Sequence, residues 1–81
     1  MSFESYMTDQ GETPDIIDES IQGWTYLGWC LPGTTGTDEP RFKIKRIQAS
    51  NGITKNYWAN GNRKYDKNWD ARDSYQYTFI L

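Results

Sequence analysis

Asn51-Gly52 stands between two runs of β-branched, aromatic and alternating charged residues, inside the stretch Arg41 to Gly61. A tight type I′ turn needs positive φ at both central positions, which Asn and Gly tolerate best. The spacing therefore predicts a β-hairpin, and the remainder of a short chain has to be built around it. A turn closing on Asn51-Gly52 sets Ser50 opposite Ile53, Arg46 opposite Tyr57 and Ile44 opposite Ala59. Phe42, Ile44 and Tyr57 then share one face, while Ile47 and Trp58 fall on the other. Either both faces are partly covered, or a β-bulge near Lys45-Arg46 carries Ile47 across.

A chain of 81 residues has room for one small domain and not for two. Its apolar fraction of 36% is low for a free-standing domain, and four Trp and six Tyr make up the deficit with large, amphipathic rings. The same composition suits a chain that completes its core against a partner. Cys30 is the single cysteine, so an intramolecular disulfide is excluded, and with no histidine a metal-ligand cluster is not expected. No apolar run approaches the ~20 residues of a membrane span. The start, Met1-Ser2-Phe3-Glu4, lacks the basic and apolar regions of a signal peptide.

Charge is segregated. Before Gly23 stand Glu4, Asp9, Glu12, Asp15, Asp18 and Glu19 with no Lys or Arg, and every basic residue lies from Arg41 onward. Residues 1–22 thus form an acidic arm and residues 23–81 a mildly basic body. Such an arm can fold onto its own body, onto a neighbouring copy, or stay solvated.

Thr13-Pro14-Asp15 has the form of a helix start, with Thr13 as N-cap and Pro14 at the first helical position. Asp15, Asp18 and Glu19 suit the positive end of a helix dipole, Ile17 and Ile21 form a stripe with Ile16 beside it, and Gly23 ends it. Trp24 to Leu31 reads as the first strand, with apolar residues on both sides. Pro32 to Pro40 is a loop and a candidate contact surface. After the hairpin, Asn60-Gly61-Asn62 is a turn. Tyr75, Tyr77, Phe79 and Leu81 alternate as a last strand with an aromatic face. The fold expected is mainly β: a small antiparallel sheet, sandwich or barrel of about four strands, with an N-terminal arm containing a short helix. Lys43, Lys45 and Lys55 would guard one open edge.

The residues offer little chemistry. No Ser/His/Asp or Cys/His set exists, and no glycine-rich phosphate cradle occurs. Cys30, inside an apolar strand, reads as a small core residue. Asp66, Asp70 and Asp73 imitate a cation site, but Lys64, Lys67 and Arg72 oppose it, and the turn-capping reading is the better one. No catalytic, cofactor-binding or metal residue is assigned. Arg41, Lys43 and Lys45 with Tyr57 and Trp58 have the make-up of a single-strand nucleic-acid binder. The acidic arm and a net charge of −2 argue against that alternative.

Trp24 with Tyr26-Leu27-Gly28 and Pro32-Gly33, the strand Phe42 to Ile47, Trp58-Ala59-Asn60-Gly61, Tyr65-Asp66-Lys67-Asn68-Trp69-Asp70-Ala71-Arg72 and Tyr75-Gln76-Tyr77 follow one another in a recognisable order. Over Gly23 to Tyr77 the chain resembles a group of short bacteriophage virion-associated proteins, mostly without an assigned activity. The chain departs at Asn60, where the group more often carries Asp. The resemblance implies a multi-copy structural component of a virion, assembled in the host cytoplasm. As a capsid decoration, adaptor or tail-associated subunit it would bind larger virion proteins (capsid, portal or tail) in a symmetric assembly. In the Tyr65 to Arg72 corner, Trp69 is expected to anchor to the core, Asp66 and Asp70 to bond backbone N–H groups, and Arg72 to pair with a carboxylate. Phe3, Tyr6, Ile16, Ile17 and Ile21, with little core left to receive them, are the partner-binding residues expected of the arm.

Overall fold

The computed structural model of the chain describes residues 7–80, so Phe3, Tyr6 and Leu81 lie outside the described residues. Five antiparallel strands form one open sheet in chain order: β1 Ile16–Asp18, β2 Trp24–Cys30, β3 Phe42–Ser50, β4 Ile53–Ala59 and β5 Tyr77–Thr78. Asn51 and Gly52 take φ of 54° and 76°, as a type I′ turn requires. Ser50 pairs with Ile53, and the register runs unbroken to Lys45 opposite Trp58. The β2–β3 ladder is equally continuous, from Trp24 opposite Gln48 to Cys30 opposite Phe42. Neither ladder contains a bulge.

Both faces of the sheet are covered instead. One face packs Tyr26, Phe42, Ile44 and Ala59 under Trp69, with Ile16, Trp24, Cys30, Tyr75 and Tyr77 around them. This corner face is closed by the 3-10 segment Trp69–Ser74. The other face packs Leu27, Trp29, Ile47 and Trp58, with Met7, Ile17 and Tyr65 against them. It is closed by the strap that precedes β1. Each fully buried Leu or Ile contributes ~1.5–3 kcal/mol, and the paired faces let a short sheet bury apolar residues of both parities.

The helix expected after Thr13 is not formed. Ile16–Asp18 is an edge strand, with Ile16 opposite Gly28 and Ile17 opposite Leu27. The reason is that adjacent β-branched residues in a strand point to opposite faces, so Ile16 meets one core and Ile17 the other. A helix stripe of Ile17 and Ile21 would have served only one. Asp15, rather than favouring a helix terminus, accepts the Cys30 amide at 3.0 Å, and its own amide bonds Gly28 O at 2.8 Å. The acidic segment is thereby laced onto its own sheet.

The lysines expected at an edge are also differently placed. β3 is the central strand, and Lys43 and Lys45 are buried at 4% and 5% exposure; only Lys55 is open to solvent. The last strand is shorter than its alternation suggests. Tyr77 pairs with Ala59 and Thr78 with Trp58, and Phe79 continues beside β4 by stacking on Tyr57 at 4.9 Å. Among the described residues no helix is long and apolar enough to cross a membrane.

Candidate functional site

Aromatic rings and cations organise both faces of the sheet. On the strap face, Gln10 and Gly11 take positive φ and fold Asp9 back on Glu12 through two backbone bonds of 3.1 and 2.9 Å. That turn drives the Asp9 carboxylate into the face. Its Oδ2 accepts from Lys43 Nζ at 2.7 Å and its Oδ1 from Arg63 Nε at 2.9 Å. Thr8 O accepts from Lys45 Nζ, and Trp29 Nε1 donates to Glu12 O. The Lys43 ammonium lies 5.3 Å from the Trp29 ring and 5.1 Å from that of Tyr65; Lys45 and Arg63 lie over Trp58. Burial works against the charge on Lys43, but the Asp9 hydrogen bond and Tyr65 outweigh it and hold its pKa above the ordinary lysine value. Burial prevails at Lys45, where the Asp9 charge helps, Arg63 opposes, and the pKa falls.

The corner places its predicted residues separately. Trp69 is buried on the Phe42 side, and Arg72 is paired with Asp18 Oδ2 at 2.8 Å through Nη2. Asp66 Oδ1 accepts from Lys67 Nζ at 2.6 Å, and Asp70 Oδ1 accepts from the Thr37 hydroxyl at 2.8 Å. The backbone caps expected of these carboxylates are supplied by asparagines: Asn68 Oδ1 accepts from the Asp70 amide and Asn62 Oδ1 from that of Lys64. Lys67, almost fully enclosed, also reaches Asn62 Oδ1 and Lys64 O. The loop 32–40 is tied to this corner, since Asn68 Nδ2 bonds Asp38 O and the Asp70 amide bonds Thr37 O. Asp66 and Asp70 thus serve different partners and do not converge. Among the described residues no group of three or more carboxylate, thiol or imidazole side chains does.

The partner-binding residues named above also part company. Ile16 and Ile17 are half-buried in the two cores, while Ile21 is 41% exposed at the turn before β2.

A further group, with no role assigned from sequence, lies on the corner face, on the side away from Trp69. The register sets Tyr26, Arg46 and Tyr57 on one cross-strand rung and Trp24, Gln48 and Lys55 on the next. The Arg46 guanidinium carbon lies 4.6 Å from the Trp24 ring centre, 4.5 Å from that of Tyr77 and 5.6 Å from that of Tyr57. Arg46 Nε and Trp24 Nε1 are both buried with no hydrogen-bond acceptor among the described residues. The available signal was the Arg46–Tyr57 pairing fixed by the turn; that Trp24 and Tyr77 would join it required the whole sheet.

No family model, curated protein or solved structure matches the chain, so the virion resemblance rests on its sequence motifs alone.

Proposed function

We propose that the chain is a non-enzymatic structural protein of a bacteriophage particle, present in many copies and bound to larger virion proteins as a decoration, adaptor or tail-associated subunit. One observation carries this reading: the β4 edge. β5 pairs with Trp58 and Ala59 only, so Ile53 to Tyr57 has no described strand on its outer side. Ile53, Phe79 and Ile80 stand exposed along that edge at 59%, 58% and 37%. An open edge flanked by apolar side chains invites either a partner strand or a partner surface, and a protein kept in assembly is protected from the edge-to-edge aggregation it otherwise risks.

The nucleic-acid alternative loses support from the placement of its residues. Lys43 and Lys45 are enclosed and committed to the strap, not displayed beside Tyr57. Quantitative mass spectrometry of purified particles encoding the chain tests the proposal. Stoichiometric copies per particle are expected, in a ratio matching capsid or tail symmetry; absence from particles would overturn it.

A further inference from the structure

We infer that the half-buried end of the corner face, around Arg46, is a docking surface for an acidic, apolar segment of a partner protein, whose carboxylate is received by the Arg46 guanidinium. The inference rests on the reading of the chain as a contact protein and names the chemistry of the contact.

Charge is the first argument. Salt bridges engage Lys43 and Arg63 with Asp9, Lys67 with Asp66, and Arg72 with Asp18. Arg46 is paired with no carboxylate among the described residues. Asp18, opposite Tyr26 on the same rung, is turned to Arg72 instead. A guanidinium held by rings alone keeps its hydrogen-bonding fork free, and a carboxylate is the group that fits that fork through two parallel bonds.

Unmet donors are the second. Arg46 Nε and Trp24 Nε1 are enclosed without an acceptor among the described residues, and such groups normally find one. An acidic side chain arriving at the guanidinium, which lies 4.6 Å from the Trp24 ring centre, supplies the acceptor that Arg46 lacks. Arg46 is already clamped between Trp24 and Tyr77, so little side-chain freedom remains to be lost on binding.

The surroundings give the rest of the occupant. Trp24, Tyr57 and Tyr77 are half-buried, and Phe79 is exposed while stacked on Tyr57. Apolar residues flanking the acid would lie on these rings, with exposed Lys55 favouring further negative charge. Aromatic and Arg side chains of this kind are the usual anchors of protein interfaces. A polynucleotide fits less well. It needs several phosphates neutralised, and this half-face offers Arg46 and Lys55 on a chain of net charge −2.

The test is selection of a random-sequence peptide display library on the full-length chain, followed by NMR titration of each selected peptide. Selected peptides should carry Asp or Glu beside Leu, Ile, Phe or Trp, and should shift the Trp24 indole N–H and Arg46 Nε–H resonances. Replacing the acid by its amide should weaken binding about tenfold or more, given the strength of charge-assisted bonds. Arg46→Gln should lose acid selectivity, and Arg46→Lys should retain only part of it. The wild-type titration stands independently of whether either variant folds. Selected peptides without an acid, equal binding of the amide, or shifts confined to another face would each overturn the inference. So would oligothymidylate moving the same resonances more tightly than the peptides. Absence from particles would remove the virion proposal and leave carboxylate recognition standing; equal binding of the amide would do the reverse.

Discussion

The Trp69 ring lies against Gly28 so closely that a β-carbon on Gly28 would come within 2.7 Å of its Cε3 and Cζ3 atoms, and within 2.8 Å of Ile16 Cγ2. Glycine in the middle of β2 is therefore the space into which the corner is lowered. Gly28→Ala is expected to lower stability by about 1–3 kcal/mol, as overpacking does. Urea unfolding checks it, and an unchanged midpoint would mean that the ring steps aside at no cost.

The hairpin makes a second prediction. Gly52 sits at φ 76° with open space around its α-carbon, so a substitution there acts through the backbone alone. Gly52→Val should cost about 1–3 kcal/mol, because a β-branched residue is strained at that φ. The loss should exceed that of Gly52→Asn; equal losses would place the cause outside the turn.

Among the described residues, Asp9 is the one carboxylate paired with both Lys43 and Arg63. Asp9→Ala strands an enclosed ammonium, and breaking such a pair costs about 3–5 kcal/mol. Adding Lys43→Met should restore much of the loss, since an apolar side chain of similar length packs between Trp29 and Tyr65. A double-mutant cycle measures the coupling, and purely additive losses would show that the two side chains act separately.

Acid should weaken the fold through Asp18. Its carboxyl is held at about 2, against an ordinary 3.8, by the Ser20 hydroxyl, then the Ser20 amide, then Arg72. A carboxyl depressed on folding adds stability that is complete above its unfolded pKa and lost as pH falls through the folded value. The loss from this group therefore falls between pH 3.8 and about 2. After solvent screening it is worth on the order of 1–2 kcal/mol. Asp18→Asn should flatten the stability profile across that window; a profile of unchanged slope would assign the acid sensitivity to other carboxylates.

Cys30 is expected to be a poor nucleophile. Burial first, then the charge and hydrogen bond of Asp15, push its thiol above the ordinary value. Alkylation at neutral pH should run slower than for a small free thiol, and Asp15→Asn should speed it. A rate equal to the free thiol would mean that neither partial burial nor Asp15 restrains the group.

What could be read beforehand was what local chemistry controls. Asn51-Gly52 set the turn, the turn set the register, and the parity of Leu27 and Trp29 against Tyr26 and Gly28 announced two covered faces. Lys43 and Lys45 read as guards of an open edge, because charges alternating with Ile44 suit an edge strand. Their cover, the strap carrying Asp9, arrives from 34 residues away. Thr13-Pro14-Asp15 carries helix-start chemistry, but a cap is worth about 1 kcal/mol. Joining β2 offers Ile16 and Ile17 a ladder and a core each. In the corner, Trp69 and Arg72 were legible as anchor and ion-pair donor. That Asn68 and Asn62 rather than Asp66 and Asp70 hold the backbone depends on geometry closed by the distant loop 32–40. The setting of Arg46 is not legible in the sequence, because three rings from three other strands define it.

Sheet order and chain order coincide, which bears on how the molecule comes into being. Each strand pairs with the one before it, so the ladder can lengthen as the polypeptide does, with small loops to close at every step. The Asp9–Arg63 and Asp18–Arg72 ties each span 54 residues and clasp opposite faces, so they can close only after most of the chain exists. Assembly is accordingly expected to be a quick zippering followed by two late fastenings. A nascent chain halted before Arg63 would hold a sheet with neither clasp shut, and the arrival of Arg63 and Arg72, rather than the first turn, would set the moment at which the fold is secured.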